Sequence, residues 1–164
     1  MIRFAQTKDL KRIVAIYNQS VSHKNATADL DPITPSRGIA WFSQHSPESY
    51  PFYVREKNNK VVGWCCLSPY REGRLALKKT AEIKYYVDYS YHRKGIASKL
   101  VQHALDNCPR VKKRVVFAVL LEGNKIGIRL LKKFGFKQWG YLPDVAEFNG
   151  EPCGHIYMGR KIAF

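Results

Sequence analysis

Apolar positions along this chain repeat with two different periods, and the two alternate from one end to the other. Ile2–Ala5 has the pattern of a short strand. Leu10, Ile13, Val14, Ile16 and Tyr17 then recur at helical spacing, with Thr7 placed to cap that helix. A stretch rich in Thr, Asp and Pro, Asn25–Thr34, reads as a loop. Pro35 opens a second helix carrying Ile39, Ala40, Trp41 and Phe42. Phe52–Glu56 and Val61–Ser68 read as strands joined through Asn58-Asn59, a hairpin signal. Arg71–Lys79 is a basic loop and Thr80–Val87 the next strand.

Helical spacing returns in Gly95–Asn107, at Ile96, Leu100, Val101, Ala104 and Leu105. Val115–Leu121 is a continuous apolar run, as a buried strand requires. Asn124–Phe134 predicts a helix ended by Gly135, and two strands near Lys137–Tyr141 and His155–Lys161 close the chain. The order of elements predicts an α/β (α+β) fold, a mixed sheet with helices on both faces.

Length limits this to one domain, 1–164, large enough to fold around its own core without disulfides or metals. Charge changes the picture more. The chain has 28 Lys plus Arg against 13 Asp plus Glu, a formal +15. Such a surface attracts anions: nucleic acid, acidic membrane or a phosphorylated cofactor. Most individual lysines still read as solvated surface. Cys65, Cys66, Cys108 and Cys153 form no C-x-x-C pair and the histidines have no metal-ligand spacing, so no metal site is expected. Cys65 and Cys66 are adjacent in a strand and should point to opposite faces as reduced core thiols, which fits a cytoplasmic protein. No signal-peptide pattern follows Met1, and the longest apolar run, Val61–Leu67, is too short to cross a bilayer.

The junction Val87–Ala97 carries candidate chemistry. A strand ends, a basic turn follows and a helix begins. The first amides of a helix lack internal partners and sit at the positive end of its dipole, so they form an anion cradle. Gly95 and Ala97 allow close approach of a pyrophosphate, and Arg93 and Lys94 add charge. The same residues fit a tightly packed helix start with surface cations.

His92-Arg93-Lys94-Gly95-Ile96-Ala97 resembles the acetyl-CoA signature Q/R-x-x-G-x-G/A of the GCN5-related N-acetyltransferase (GNAT) superfamily, with His92 where the family carries Gln or Arg. The Asn-led segment Asn124–Lys133 followed by Phe134-Gly135-Phe136 resembles a second family signature. Thr27–Thr34, Trp41-Phe42, Gly73-Arg74, Thr80-Ala81-Glu82 and Leu142–Glu147 resemble the phosphinothricin and methionine sulfoximine acetyltransferase branch, so the resemblance spans nearly the whole chain. It implies the GNAT fold, with a mostly antiparallel sheet, and acetyl-CoA as acetyl donor. It also implies a small amine acceptor of the methionine sulfoximine, methionine sulfone or phosphinothricin type, and a homodimer. Ala28, Leu75 and Leu77 stand where branch members carry larger, aromatic or Pro residues.

The resemblance also implies roles. Tyr85, Tyr86 and Val87 lend backbone groups to the cofactor arm, as an added strand does. Arg93, Lys94, Gly95, Ile96, Ala97 and Ser98 hold its pyrophosphate, with Asn124 and Lys133 as further contacts. Asn124 also suits a simple helix cap. A backbone amide of the same strand meets the developing oxyanion. Glu82 is the candidate base that frees the acceptor amine of its proton; otherwise it is a strand carboxylate paired with Lys84 or Lys79. Arg71, Gly73, Arg74, Glu82 and Lys84 are the candidate acceptor contacts, since guanidinium grips two oxygens at once. Leu131 stands where many superfamily members carry the Tyr that protonates the departing thiolate, leaving Tyr141, water or the amine's own proton.

Two other classes compete. One is acetylation of protein N-termini, lysines, polyamines or aminoglycosides, which suits a +15 chain poorly. The other is a basic nucleic-acid-binding module using Tyr85, Tyr86, Tyr89 and Tyr91 beside His92-Arg93-Lys94. No nucleic-acid motif is present, so neither nucleic acid nor membrane is expected as partner.

Overall fold

The computed structural model describes Met1–Phe164 and contains a single seven-stranded sheet. The elements, in chain order, are β1 (Ile2–Phe4), α1 (Leu10–His23), α2 (Pro35–Phe42), β2 (Phe52–Lys57), β3 (Lys60–Pro69), β4 (Thr80–Val87), α3 (Ile96–Asp106), β5 (Val115–Leu121), α4 (Lys125–Lys133), β6 (Lys137–Phe148) and β7 (Glu151–Lys161). The strand order is β1-β2-β3-β4-β5-β7-β6, and only the β4–β5 pair is parallel. The expected mixed, mostly antiparallel sheet is therefore present.

The two faces of the sheet bury different cores. Under α3 and α4 lies a cluster of 20 buried residues, among them Val62, Cys65, Leu67, Ile83, Leu100, Val101 and Leu131. Under α1 and α2 lies a smaller one of seven: Ile13, Ile16, Phe52, Val54, Val61, Trp64 and Cys66. Cys65 and Cys66 thus face opposite cores, as the period of two requires. Within the β2–β3 pair the period slips once. Arg55 opposes Gly63 but Glu56 opposes Val61, so Val62 is an extra residue in β3 and a bulge. Its carbonyl accepts the Asp88 amide at 3.0 Å, tying the bulge to the end of β4.

Local chemistry explains most element ends. Thr34 Oγ1 accepts the Arg37 amide at 3.3 Å, capping α2 ahead of Pro35. Asn58 and Asn59 both take positive φ in the β2–β3 turn, which asparagine tolerates. After α4, Gly135 at φ +77 permits a double closure. Its amide reaches Lys132 O at 3.0 Å, and that of Phe136 reaches Leu131 O at 3.1 Å, with the Phe136 and Leu131 side chains in the larger core.

Two expectations change. Thr7 does not cap α1; it begins a one-turn 3₁₀ segment, Thr7–Asp9, whose closing contact is the Asp9 carboxylate accepting the Gln6 amide at 2.8 Å. Asp9, buried and gripped by Arg3, is the better acceptor because it can satisfy the orphan amide and an ion pair together. The last two strands are also much longer than their apolar patches. β6 and β7 form a long hairpin through Asn149 and Gly150, both at positive φ. Most of β6 is solvent-exposed and contains Pro143 beside a register shift, so it lacks the alternation that marks a strand in sequence.

Candidate active site

β4 and β5 begin as a parallel pair and then part. Pairing covers Thr80↔Val115, Ala81↔Val116 and Glu82↔Phe117 and goes no further, although β4 continues to Val87 and β5 to Leu121. The backbone of 83–87 is therefore paired to β3 on one side and open on the other. Glu82 sits at the apex of this split.

The apex opens into a pocket of about 350 Å³ on the α1–α2 side, within the size range of small-molecule sites. One wall is aromatic: Tyr17, Trp41, Trp64 and Tyr86, with Trp64 between Trp41 (5.1 Å) and Tyr86 (4.8 Å). The segment between α1 and α2 forms another wall through Ala26, Thr27, Ala28, Asp29 and Ile33. That loop is pinned by side chains. Tyr86 Oη donates to Ala26 O at 3.1 Å, and Asn18 exchanges two hydrogen bonds with the Ile33 backbone. Tyr17 Oη shares a 2.6 Å hydrogen bond with Thr27 Oγ1 and donates to Asp29. Burial and the neighbouring Asp29 push the Tyr17 hydroxyl up to about 12, so it stays a donor at neutral pH.

Charge enters from three directions. Glu82 and Lys84 project from β4, Arg37 comes from α2, and His155 comes from β7, whose backbone pairs with Leu121. Lys84 Nζ lies 3.8 Å from Glu82 Oε2, with side chains 36% and 23% exposed. Burial raises the Glu82 pKa above the ordinary carboxylate range, opposed by the nearby charges of Lys84 and His155. Burial prevails, so Glu82 is a stronger base than a surface carboxylate while remaining in contact with solvent.

The turn after β4 has a different construction. Asp88, buried and paired with Arg12, accepts the Ser90 amide at 2.9 Å and shapes the turn Tyr89–Tyr91. Arg93 at φ 60 and Gly95 at φ 72 then bend the chain into α3. No side chain caps that helix, so the amides of Ile96, Ala97 and Ser98 face outward uncommitted. A Cβ at Gly95 would meet nothing within 4 Å, which leaves the cradle open to a bulky anion. His92 Nε2 lies 2.9 Å from Val87 O, and Lys94 Nζ donates to Ser90 O at 3.0 Å. Arg93 is exposed with no side-chain hydrogen bond. Asn124 caps α4 by accepting the Gly127 amide at 3.0 Å, and Lys133 is exposed in its last turn.

The chain matches the model of the Acetyltransferase (GNAT) family over residues 10–136. The chain belongs to that family. It is 37% identical over 163 residues to YwnH of Bacillus subtilis (strain 168), provisionally named a phosphinothricin acetyltransferase, covering 99% of each chain. It is 30% identical over 144 residues to the L-methionine sulfoximine/L-methionine sulfone acetyltransferase of Salmonella typhimurium (strain LT2), covering 88% of this chain and 84% of the relative. A GNAT superfamily phosphinothricin acetyltransferase from Sinorhizobium meliloti, solved with acetyl-CoA, superimposes with a TM-score of 0.92 at 25% identity, covering 99% of this chain and 88% of that one. The split between β4 and β5 and the uncapped start of α3 fit an elongated cofactor with a pyrophosphate. The fold, the phosphinothricin-like branch and acetyl-CoA-dependent acyl transfer thus agree with the resemblance read from the sequence.

The structure distributes the expected site residues unevenly. Glu82, Lys84 and Tyr86 line the pocket. Tyr85 turns to the opposite face, packed against the larger core with its hydroxyl buried and unpartnered. Arg71, Gly73 and Arg74 lie on the exposed loop before β4, and none lines the pocket. Leu131 is fully buried. Tyr141 donates to Glu122 at 2.8 Å and is not a pocket residue. Sequence reading missed Tyr17, Asp29, Arg37 and His155. Thr27–Thr34 carried a branch match, but nothing in the sequence marked Arg37 or His155.

Proposed function

We propose that the protein moves the acetyl group of acetyl-CoA to the α-amine of a small amino-acid-like acceptor of the methionine sulfone, methionine sulfoximine or phosphinothricin kind, bound beside Glu82. The observation that carries this reading is the Glu82–Lys84 pair, a carboxylate and an ammonium 3.8 Å apart at the apex of the β4–β5 split. An α-amino acid presents the complementary pair on a single carbon. Its ammonium faces Glu82 and its carboxylate faces Lys84. Lys84 takes the carboxylate role in preference to Arg74 and Arg71 because, of the three, it alone lines the pocket.

Glu82 accepts the ammonium proton, directly or through one water, and leaves a neutral amine aimed into the split. Bound acetyl-CoA would supply the activated acyl group there: the amine nitrogen adds to the thioester carbon and the C–S bond breaks. The coenzyme A thiolate leaves and takes up the proton lost by the amine, directly or through water, since Tyr141 does not line the pocket. The open edge of Tyr85, Tyr86 and Val87 receives the cofactor arm as an added strand, and a free amide of that edge stabilises the developing oxyanion. The uncommitted amides of Ile96, Ala97 and Ser98, with Gly95 and the cations Arg93 and Lys94, receive the pyrophosphate. The side-chain amide of Asn124 and the Lys133 ammonium complete the cofactor side.

Free buried cysteines support a reducing, cytoplasmic setting. Exposed Trp139, Leu142 and Val145 along β6 support a homodimer. The deciding experiment is an acceptor screen by free-thiol release. Methionine sulfone, methionine sulfoximine or phosphinothricin should turn over faster than spermidine or an N-terminal peptide amine. The reverse order would replace this reading with cationic-amine acetylation.

A further inference from the structure

Two polar groups line the pocket beside the aromatic wall: Glu82 and Lys84 from β4, and Tyr17, Thr27, Asp29 and Arg37 from α1, the segment after it and α2. Most of this second group is already satisfied. Asp29 accepts through Oδ2 from Tyr17 and through Oδ1 from Arg37 Nη2 at 3.2 Å, so neither carboxylate oxygen is left unengaged. The Tyr17 hydroxyl is shared between Asp29 and Thr27, and the Tyr86 hydroxyl is given to Ala26 O. Arg37 differs. A guanidinium has five N–H donors, and the single side-chain hydrogen bond it makes here is the one to Asp29. Its side chain is 63% exposed while that of Asp29 is 26% exposed. Asp29 holds one edge of the guanidinium and leaves the rest free.

Resting on the amino-acid reading above, we propose that Arg37 selects the acceptor by its side-chain terminus, favouring side chains that end in strongly hydrogen-bond-accepting oxygens: sulfone, sulfoximine, phosphinate or carboxylate. With the amine and α-carboxylate held by Glu82 and Lys84, the methylenes of the acceptor lie on Trp41, Trp64 and Tyr86. The terminal oxygens then meet the free N–H groups of Arg37. An apolar terminus gains nothing there and must strip water from the guanidinium. An ammonium terminus meets like charge, and the neighbouring Asp29 is already occupied by Tyr17 and Arg37.

The test compares kcat/KM for methionine sulfone and norleucine in wild type, Arg37→Gln and Arg37→Lys. A hydrogen bond to a charged group at a half-open site is worth roughly a tenfold preference. Wild type should favour the sulfone by about that factor or more. Arg37→Gln should bring the two acceptors close to equal by raising KM for the sulfone, with norleucine turned over as well as by wild type or slightly better and the KM for acetyl-CoA nearly unchanged. Arg37→Lys should recover part of the preference. An arginine that merely braces the Asp29 loop would lower both acceptors together; that result, or an unchanged ratio, overturns the proposal. So does a wild-type preference for norleucine, which leaves the amino-acid reading intact. If wild type acetylates neither, the reading of the function itself has failed.

Discussion

Replacing Glu82 with Gln separates chemistry from folding more cleanly than any other change at this site. Gln keeps the size and shape of the side chain and loses only the proton acceptor. Glu82 is 23% exposed with one cation 3.8 Å away, and burial raises its pKa in spite of Lys84 and His155. A carboxylate whose folded-state pKa lies above its unfolded value costs stability once it is ionised. That cost is absent at low pH and fully present above the folded pKa, so Glu82→Gln should not lower the melting temperature at pH 7. Loss of a positioned base should lower kcat about 10²–10⁴-fold at neutral pH. The assay is steady-state thiol release with saturating acetyl-CoA and methionine sulfone from pH 6 to pH 10, with Kd for acetyl-CoA measured by calorimetry. The deficit should shrink as pH rises, because solvent then does the deprotonation, and the cofactor Kd should not move. A variant whose pH–rate profile overlies that of wild type would refute the role of Glu82 and reduce the Glu82–Lys84 pair to a structural contact.

Gly95→Glu places a side chain and a negative charge in the cradle at the start of α3. It should raise the acetyl-CoA Kd tenfold or more, and the left-handed φ of 72 should also cost about 1–3 kcal/mol of stability, read by thermal melting. Lys84→Gln should raise KM for amino-acid acceptors about tenfold and leave KM for acetyl-CoA alone, whereas Arg74→Gln should change neither by more than about twofold. His45 is held near 4 by burial against Trp41 and Phe52. Its folded pKa is depressed, so the unfolded chain takes up the proton first and stability falls as pH drops from about 6.5 to about 4. His45→Phe should flatten that part of the pH–stability curve in denaturant titrations; an unchanged slope would place the acid sensitivity elsewhere.

The parts of this protein legible in its sequence are those whose physics is local. The period of 3.6 located α1 and α3, each with one apolar stripe against the sheet, and the unbroken apolar runs located β3 and β5, which are buried on both faces. The turn into α3 was legible for a similar reason: an uncapped helix start after a strand leaves small residues and cations within a few positions of one another. The long β6–β7 hairpin was not, since most of β6 is exposed and its pairing with β7, across a register shift at Leu142/Ala146, leaves no apolar trace. The pocket was legible only on the β4 side. Glu82 and Lys84 stand out on the strand before the basic turn, but Arg37 and His155 reach the pocket from separate elements, α2 and β7, through tertiary packing. Arg71 and Arg74 illustrate the converse. A basic loop next to β4 suggested anion binding, yet Arg71 and Arg74 are exposed and line no part of the pocket.

The most direct test of the central claim is the fate of a labelled acetyl group. Acetyl-CoA carrying isotope in its acetyl carbons, incubated with enzyme and methionine sulfone, should give N-acetyl product labelled on the α-nitrogen in equal amount to the free thiol released. Thiol released without labelled product, or label carried by spermidine in preference to the amino acid, would contradict the account.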